Sequence, residues 1–137
     1  MSKKISILVP VYNAEETLKE LVILIEKYVI KISNDYEIIL VDDCSLDNSW
    51  KQIKELGNNN KRIIGVKLTK NYGLDVAITA GIERALGDYI CIMFCDLQDP
   101  IDKMPDMYEK LISNKDFDII CAYYKNKHRE SYLSNIF

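Results

Sequence analysis

Short, β-branched apolar runs alternate along the chain with stretches in which apolar residues return every three or four positions. Ile5-Ser6-Ile7-Leu8-Val9, Tyr36–Val41, Ile63–Leu68, Tyr89–Phe94 and Phe117–Ala122 have the length and content of buried strands. Between them, Leu18, Leu21, Val22, Ile25 and Val29 share one helical face, as do Trp50, Ile53 and Leu56. Val76, Ala77, Ala80 and Ala85 mark the packing side of a third helix, and a fourth is predicted from Pro100 to about Ile112. Pro10 is expected to end the first strand, because proline has no N–H to extend a central ladder. Asn13 is the expected N-cap of the first helix, with Glu15 and Glu16 at the positive end of its dipole. Asp42-Asp43-Cys44-Ser45 stops the second strand, with Ser45 or Asp47 as a helix cap. Gly57-Asn58-Asn59-Asn60 stops the second helix, and Asn71-Tyr72-Gly73 turns the chain into the third. Five strands alternating with four helices require crossover connections. The expected fold class is therefore α/β, a Rossmann-like, doubly wound and mostly parallel sheet.

Composition narrows the picture without changing it. A chain of 137 residues, 48% hydrophobic and 28% charged, is the size of a single domain spanning 1–137. A net charge of −3 supplies no general attraction to nucleic acid, which is not expected as a partner. Apolar runs such as Leu21–Ile25 fall far short of the roughly 20 residues that span a bilayer. Met1-Ser2-Lys3-Lys4 leads directly into a strand-like run rather than a secretory signal, so a cytoplasmic location is expected. Cys44, Cys91, Cys95 and Cys121 contain no C-x-x-C pair, which favours buried free thiols. His128 is the sole histidine, which excludes a multi-histidine zinc site.

The polar residues at the strand ends carry the candidate chemistry. The fourth apolar run stops at Asp96-Leu97-Gln98-Asp99-Pro100, and Asp96, Gln98 and Asp99 offer the oxygen donors that magnesium or manganese prefers. The turn after the first strand, Pro10-Val11-Tyr12-Asn13, lacks the glycines of a dinucleotide fingerprint, and the chain has no G-x-x-x-x-G-K-[ST] loop. An acidic pair after the second strand, rather than the first, also disfavours a receiver domain. In a doubly wound sheet the ends of alternate strands converge on one crevice. Asp42 or Asp43 there can accept from a base N–H or a ribose hydroxyl, while Asp96 can reach a pyrophosphate through a metal ion.

Five motifs stand in one order: Val9-Pro10-Val11-Tyr12-Asn13-Ala14-Glu15, Val41-Asp42-Asp43-Cys44-Ser45-Leu46-Asp47, Asn71-Tyr72-Gly73 with Ala77 and Gly81, Gly87-Asp88-Tyr89-Ile90, and Asp96-Leu97-Gln98-Asp99-Pro100. In this the chain resembles the family 2 glycosyltransferases of GT-A fold. It is most similar to the dolichyl-phosphate and undecaprenyl-phosphate sugar synthases, and the resemblance covers nearly its whole length. It implies a GT-A nucleotide-binding half and an inverting transfer of sugar from a nucleotide-diphosphate sugar to a polyprenyl phosphate. Pro10, Tyr12, Glu15, Asp42, Asp43 and Asn71 would contact the nucleotide. Asp96 and Asp99 would serve catalysis, and Asp96 and Gln98 would hold Mg2+ or Mn2+. Lys127, Arg129 and Ser134 would meet the acceptor phosphate, at the cytoplasmic face of the membrane.

Two departures from the family pattern set the alternatives. Phe94 stands where the metal motif usually begins with aspartate, and the chain stops before the acceptor side of such enzymes, so a sheet truncated there is expected to self-associate as a homo-oligomer. The competing expectations are a glycan transferase with a hydroxyl acceptor, and a catalytically inactive nucleotide-sugar-binding module.

Overall fold

A computed structural model describes residues 3–122. They divide into two compact units, one running through Pro105 and the other beginning at Asp106. The first unit holds strands β1 (Ile5–Val11), β2 (Tyr36–Asp42), β3 (Ile63–Lys67) and β4 (Tyr89–Ile92) and helices α1 (Leu18–Val29), α2 (Ser49–Asn59) and α3 (Leu74–Arg84). A 3-10 turn, Ile101–Lys103, leads into α4 (Met104–Ser113), whose first two residues close that unit.

All pairings among the described strands are parallel, in the order β3-β2-β1-β4. β1 and β2 are buried along their whole length, as expected of near-continuous apolar runs sandwiched on both faces. α3 covers the face that carries Leu8, Ile39 and Val41. A Cβ added at Gly81 would lie 2.3 Å from Leu8 Cδ1 and 3.1 Å from Val41 Cγ2, so glycine is what lets the helix approach this closely. The other face is covered by α2, whose Ile53 and Trp50 crowd Gly65 of β3, and by α1, which buries Leu18, Leu21, Val22, Ile25 and Val29. The chain winds from β1 outward to β3, then crosses back to place β4 on the opposite side of β1. The strand order thus reverses between β1 and β4, which is where such sheets open a crevice at their carboxyl ends.

A buried polar cluster fixes β4 against β1. Ser6 Oγ donates to Glu37 Oε1 at 2.7 Å, the Leu86 N–H donates to the same oxygen at 2.6 Å, and Lys4 Nζ lies 2.9 Å from Oε2. The Gly87 N–H donates to Ser6 Oγ at 2.8 Å, and Asp88 accepts the Lys4 N–H at 2.9 Å. Gly87-Asp88 is therefore the clamp between α3 and the sheet.

Several sequence expectations are corrected. Pro10 does not end β1; it pairs in register with Val41 and the strand runs to Val11. The Leu8 carbonyl faces β4, accepting the Met93 N–H at 2.9 Å, so Pro10 two residues on presents its missing donor to the same side, where β4 has already stopped. Asn13 is not the cap of α1, which begins at Leu18 after Thr17. Phe117–Ala122 forms no strand among the described residues, although its composition suits one. An apolar run specifies a strand only when a partner ladder takes up its backbone groups. In the second unit, described from Asp106 to Ala122, α4 ends in a turn in which Asn114 Oδ1 accepts the Asp116 N–H at 3.0 Å, and Ile119 beyond it is exposed.

Candidate functional site

The crevice between β1 and β4 holds a hollow of about 370 Å³ lined by Pro10, Val11 and Tyr12 after β1, Asp43 after β2, Asn71, Gly73, Leu74 and Ala77 around the start of α3, and Phe94, Cys95 and Asp96 after β4. Each of the four loops leaving the sheet contains one residue at positive φ: Asn13 at 51°, Cys44 at 60°, Gly73 at 92° and Leu97 at 60°. Such conformations disfavour L side chains and concentrate where the surrounding structure must hold a loop in one shape.

That holding is visible between the first two loops. Asn13 Oδ1 accepts the Leu46 N–H at 2.8 Å while the Asn13 N–H donates to Ser45 Oγ at 3.0 Å. The Ala14 N–H donates to Ser49 Oγ at 2.8 Å and the Glu15 N–H to Asp47 Oδ2 at 3.0 Å. Glu15 Oε2 returns the favour by accepting the Asn48 N–H at 2.8 Å. For the Asp47 carboxyl, burial acts to raise the pKa, but hydrogen bonds from the Ser49 side chain and N–H, and from the Glu15 N–H, outweigh it and hold the group below its usual range. Glu15 thus knits two loops together and is not among the residues lining the hollow.

The adjacent acids Asp42 and Asp43 part company. Asp42 is fully buried at the end of β2, with its Oδ2 3.2 Å from Lys67 Nζ, and does not line the hollow. Asp43 does line it. Its two oxygens accept the backbone N–H groups of Tyr72 at 2.7 Å and Gly73 at 2.8 Å, stapling the turn before α3. A carboxylate has roughly four lone-pair sites, so Asp43 keeps acceptor capacity toward the hollow.

After β4, Asp99 Oδ2 accepts the Phe94 N–H at 2.7 Å, and Asp96 Oδ1 accepts the Gln98 N–H at 3.0 Å. Asp99 closes the loop from behind, and neither it nor the exposed Gln98 lines the hollow; Asp96 does. Thr17 Oγ1 donates to the Cys95 carbonyl, tying this loop to the start of α1. Cys91 is half-buried, and desolvation first, then the Asp99 charge, pushes its thiol up to about 11, so it is protonated at neutral pH. All four cysteines are free.

The structure therefore brings Pro10, Tyr12, Asp43, Asn71 and Asp96 together and leaves Glu15, Asp42, Gln98 and Asp99 in supporting positions. Lys127, Arg129 and Ser134 lie outside the described residues. Val11, Gly73, Leu74, Ala77 and Cys95 join the lining without having been singled out for it. Leu74 has a legible signal, since a helix that opens just past a strand end presents first-turn N–H groups suited to an anion. No group of three or more His, Cys, Asp or Glu side chains that could hold a metal ion occurs among the described residues. A larger open hollow, about 560 Å³, lies at the amino ends of β2 and β3. There Lys4 is paired with Glu37 at 2.9 Å, and Arg62 lies over the Tyr36 ring at 4.5 Å and donates to the Asn34 carbonyl at 3.2 Å.

Comparison with known proteins places this crevice in context. The model of "Glycosyl transferase family 2" matches residues 6–136. The undecaprenyl-phosphate 4-deoxy-4-formamido-L-arabinose transferase of Proteus mirabilis is 35% identical over 125 residues, which cover 90% of this chain and 38% of that protein. The chain thus spans well under half the length of that curated relative. Among solved structures, S. aureus TarS 1-349 in complex with UDP-GlcNAc is 28% identical with a TM-score of 0.58, covering 68% of this chain and 26% of TarS. The mannosyltransferase PcManGT from Pyrobaculum calidifontis in complex with GDP-Man and Mn2+ shares the fold at 20% identity and a TM-score of 0.55, covering 75% of this chain and 30% of that one.

Proposed function

The chain belongs to glycosyl transferase family 2, and from that membership we propose that its β1/β4 crevice is the donor site of an inverting sugar transfer from a nucleoside-diphosphate sugar. One observation carries the reading: Pro10, Tyr12, Asp43, Asn71 and Asp96, drawn from the ends of four different strands, line a single hollow at the point where the strand order reverses. Tyr12 is 44% exposed on that hollow and offers a ring for a nucleobase to stack upon. Asp43 accepts from a base N–H or ribose hydroxyl with the lone pairs its backbone partners leave over. The amino end of α3, which begins at Leu74 beside the hollow, offers its first-turn N–H groups toward the diphosphate.

In the reaction, an acceptor oxygen attacks the anomeric carbon from the side opposite the nucleotide. The new C–O bond forms as the bond from that carbon to the diphosphate oxygen breaks, and its electron pair leaves on the nucleoside diphosphate. The similarity to an undecaprenyl-phosphate sugar transferase supports a polyprenyl phosphate as the acceptor. Its oxygen is already ionised, so no strong general base is needed. No helix among the described residues is long and apolar enough to cross a membrane. Access to such a lipid from the cytoplasmic membrane face belongs to the same proposal.

Calorimetric titration with uridine and guanosine diphosphates in the presence of Mg2+ tests the donor site. One of them binds at a one-to-one ratio, and Tyr12→Ala weakens it about tenfold, the scale of a lost base–aromatic stack. Failure of both nucleotides to bind the folded chain would refute the reading.

A further inference from the structure

We propose that Lys67, which lines neither hollow, is a positioning residue for the nucleotide: its charge holds the buried Asp42 carboxylate, and Asp42 in turn holds the loops that carry Tyr12 and Asp43. The proposal deepens the donor-site reading and rests on it.

Strand register makes the pair. Asp42 ends β2 and Lys67 ends β3, and the two are parallel partners, so their side chains leave the sheet on one face at its carboxyl end. The Asp42 side chain has no exposed surface, where an uncompensated charge is costly. Lys67 Nζ lies 3.2 Å from Oδ2 and is the one cation within 4 Å of this acid among the described residues. Oδ2 accepts no aligned hydrogen bond from a described residue, so the lysine charge is what offsets its burial. The ammonium also lies 5.3 Å from the centre of the Trp50 ring, a contact that favours the cation and leaves its charge free for Asp42.

The other oxygen of Asp42 reaches toward the site. Oδ1 accepts the Ser45 N–H at 3.2 Å, closing a turn over Cys44, whose φ of 60° persists only where neighbours hold it. Ser45 Oγ then accepts the N–H of Asn13, the residue after Tyr12, at 3.0 Å. On the backbone beside it, the Asp43 N–H donates to the Val11 carbonyl at 2.8 Å. One ion pair and two hydrogen bonds thus link Lys67 to the loop bearing the Tyr12 ring, and Lys67, Asp42 and Ser45 all stand outside the lining. Without its cation, a buried lone carboxylate turns outward to water, and the Ser45 and Asn13 N–H groups lose their hold.

The test is calorimetric titration of folded variants with uridine and guanosine diphosphates in Mg2+. Lys67→Met keeps the side-chain length and removes the charge, and it is expected to weaken the nucleotide that the native chain binds by roughly fivefold, the scale of a broken ion-pair link between sites. Lys67→Arg is expected to restore native binding. Asp42→Asn removes the need for a cation, so Asp42→Asn with Lys67→Met is expected to bind as Asp42→Asn alone does. A merely structural role would lower the unfolding midpoint of Lys67→Met and leave the affinity of the folded protein unchanged, and that result overturns the proposal. Weakening by Lys67→Met that is just as large in the Asp42→Asn background overturns the route through Asp42. Absence of nucleotide binding by the native chain overturns the donor-site reading and this role with it, whereas native binding that Lys67→Met does not alter overturns this role alone.

Discussion

Glu37 is a carboxylate set in a fully buried strand, and it survives there because every contact on it is a donor. Burial by itself pushes its pKa up. The hydrogen bonds from Lys4, Ser6 and the Leu86 N–H, with the Lys4 charge, outweigh that and hold it below the usual value of 4.5. The unfolded chain therefore takes up a proton before the folded one, and stability conferred above that value is lost as pH falls through the lowered folded pKa. Urea unfolding at about pH 7 and about pH 3 should show Glu37→Gln less stable at neutrality by roughly 1–3 kcal/mol and losing less on acidification than the native chain. An equal acid loss in both would remove Glu37 from the acid response. Residues also show where sequence reading stops. Asp42-Asp43 at a strand end is plain in the sequence, but the division of labour is not. It depends on Lys67 reaching Asp42 and on the Tyr72 and Gly73 amides reaching Asp43, partners at least 25 residues apart in the chain.

Helix α3 governs the site at the scale of elements, since its amino end lines the hollow and its middle is pressed on the sheet at Gly81. Gly81→Ala poses two opposed effects. Helix propensity favours alanine by about 1 kcal/mol. Against it, the new Cβ would stand 2.3 Å from Leu8 Cδ1 and 2.6 Å from Leu8 Cγ, in a side chain with no exposed surface to retreat into. Overpacking costs about 1–3 kcal/mol and prevails. Thermal unfolding should show Gly81→Ala less stable than the native chain; a higher melting temperature would contradict the close approach. The helices and the four paired strands were legible from periodicity because each buries one regular face. Phe117–Ala122 was misread because periodicity reports a preference for burial and not the existence of a neighbour. Pro10 was misread for a related reason: whether a missing N–H matters depends on which side of β1 it points to and where β4 ends.

For the whole molecule, the order β3-β2-β1-β4 converts scattered motifs into one place. Tyr12 and Asp96 are far apart in sequence and line one hollow because β4 returns to the opposite flank of β1, where the Ser6–Glu37–Gly87 hydrogen bonds hold the chain at the start of β4. The motif order in the chain was enough to suggest a common crevice, whereas the supporting positions of Glu15, Gln98 and Asp99 required the folded loops. Two hollows compete for a ligand, one at each end of the sheet. Amide chemical shifts recorded while a nucleoside diphosphate with Mg2+ is added decide between them. The account predicts changes concentrated at Tyr12, Asp43, Tyr72, Gly73, Leu74, Cys95 and Asp96. Changes concentrated instead at Asn34, Glu37, Arg62 and Ile64, or no changes at saturating nucleotide, would contradict it.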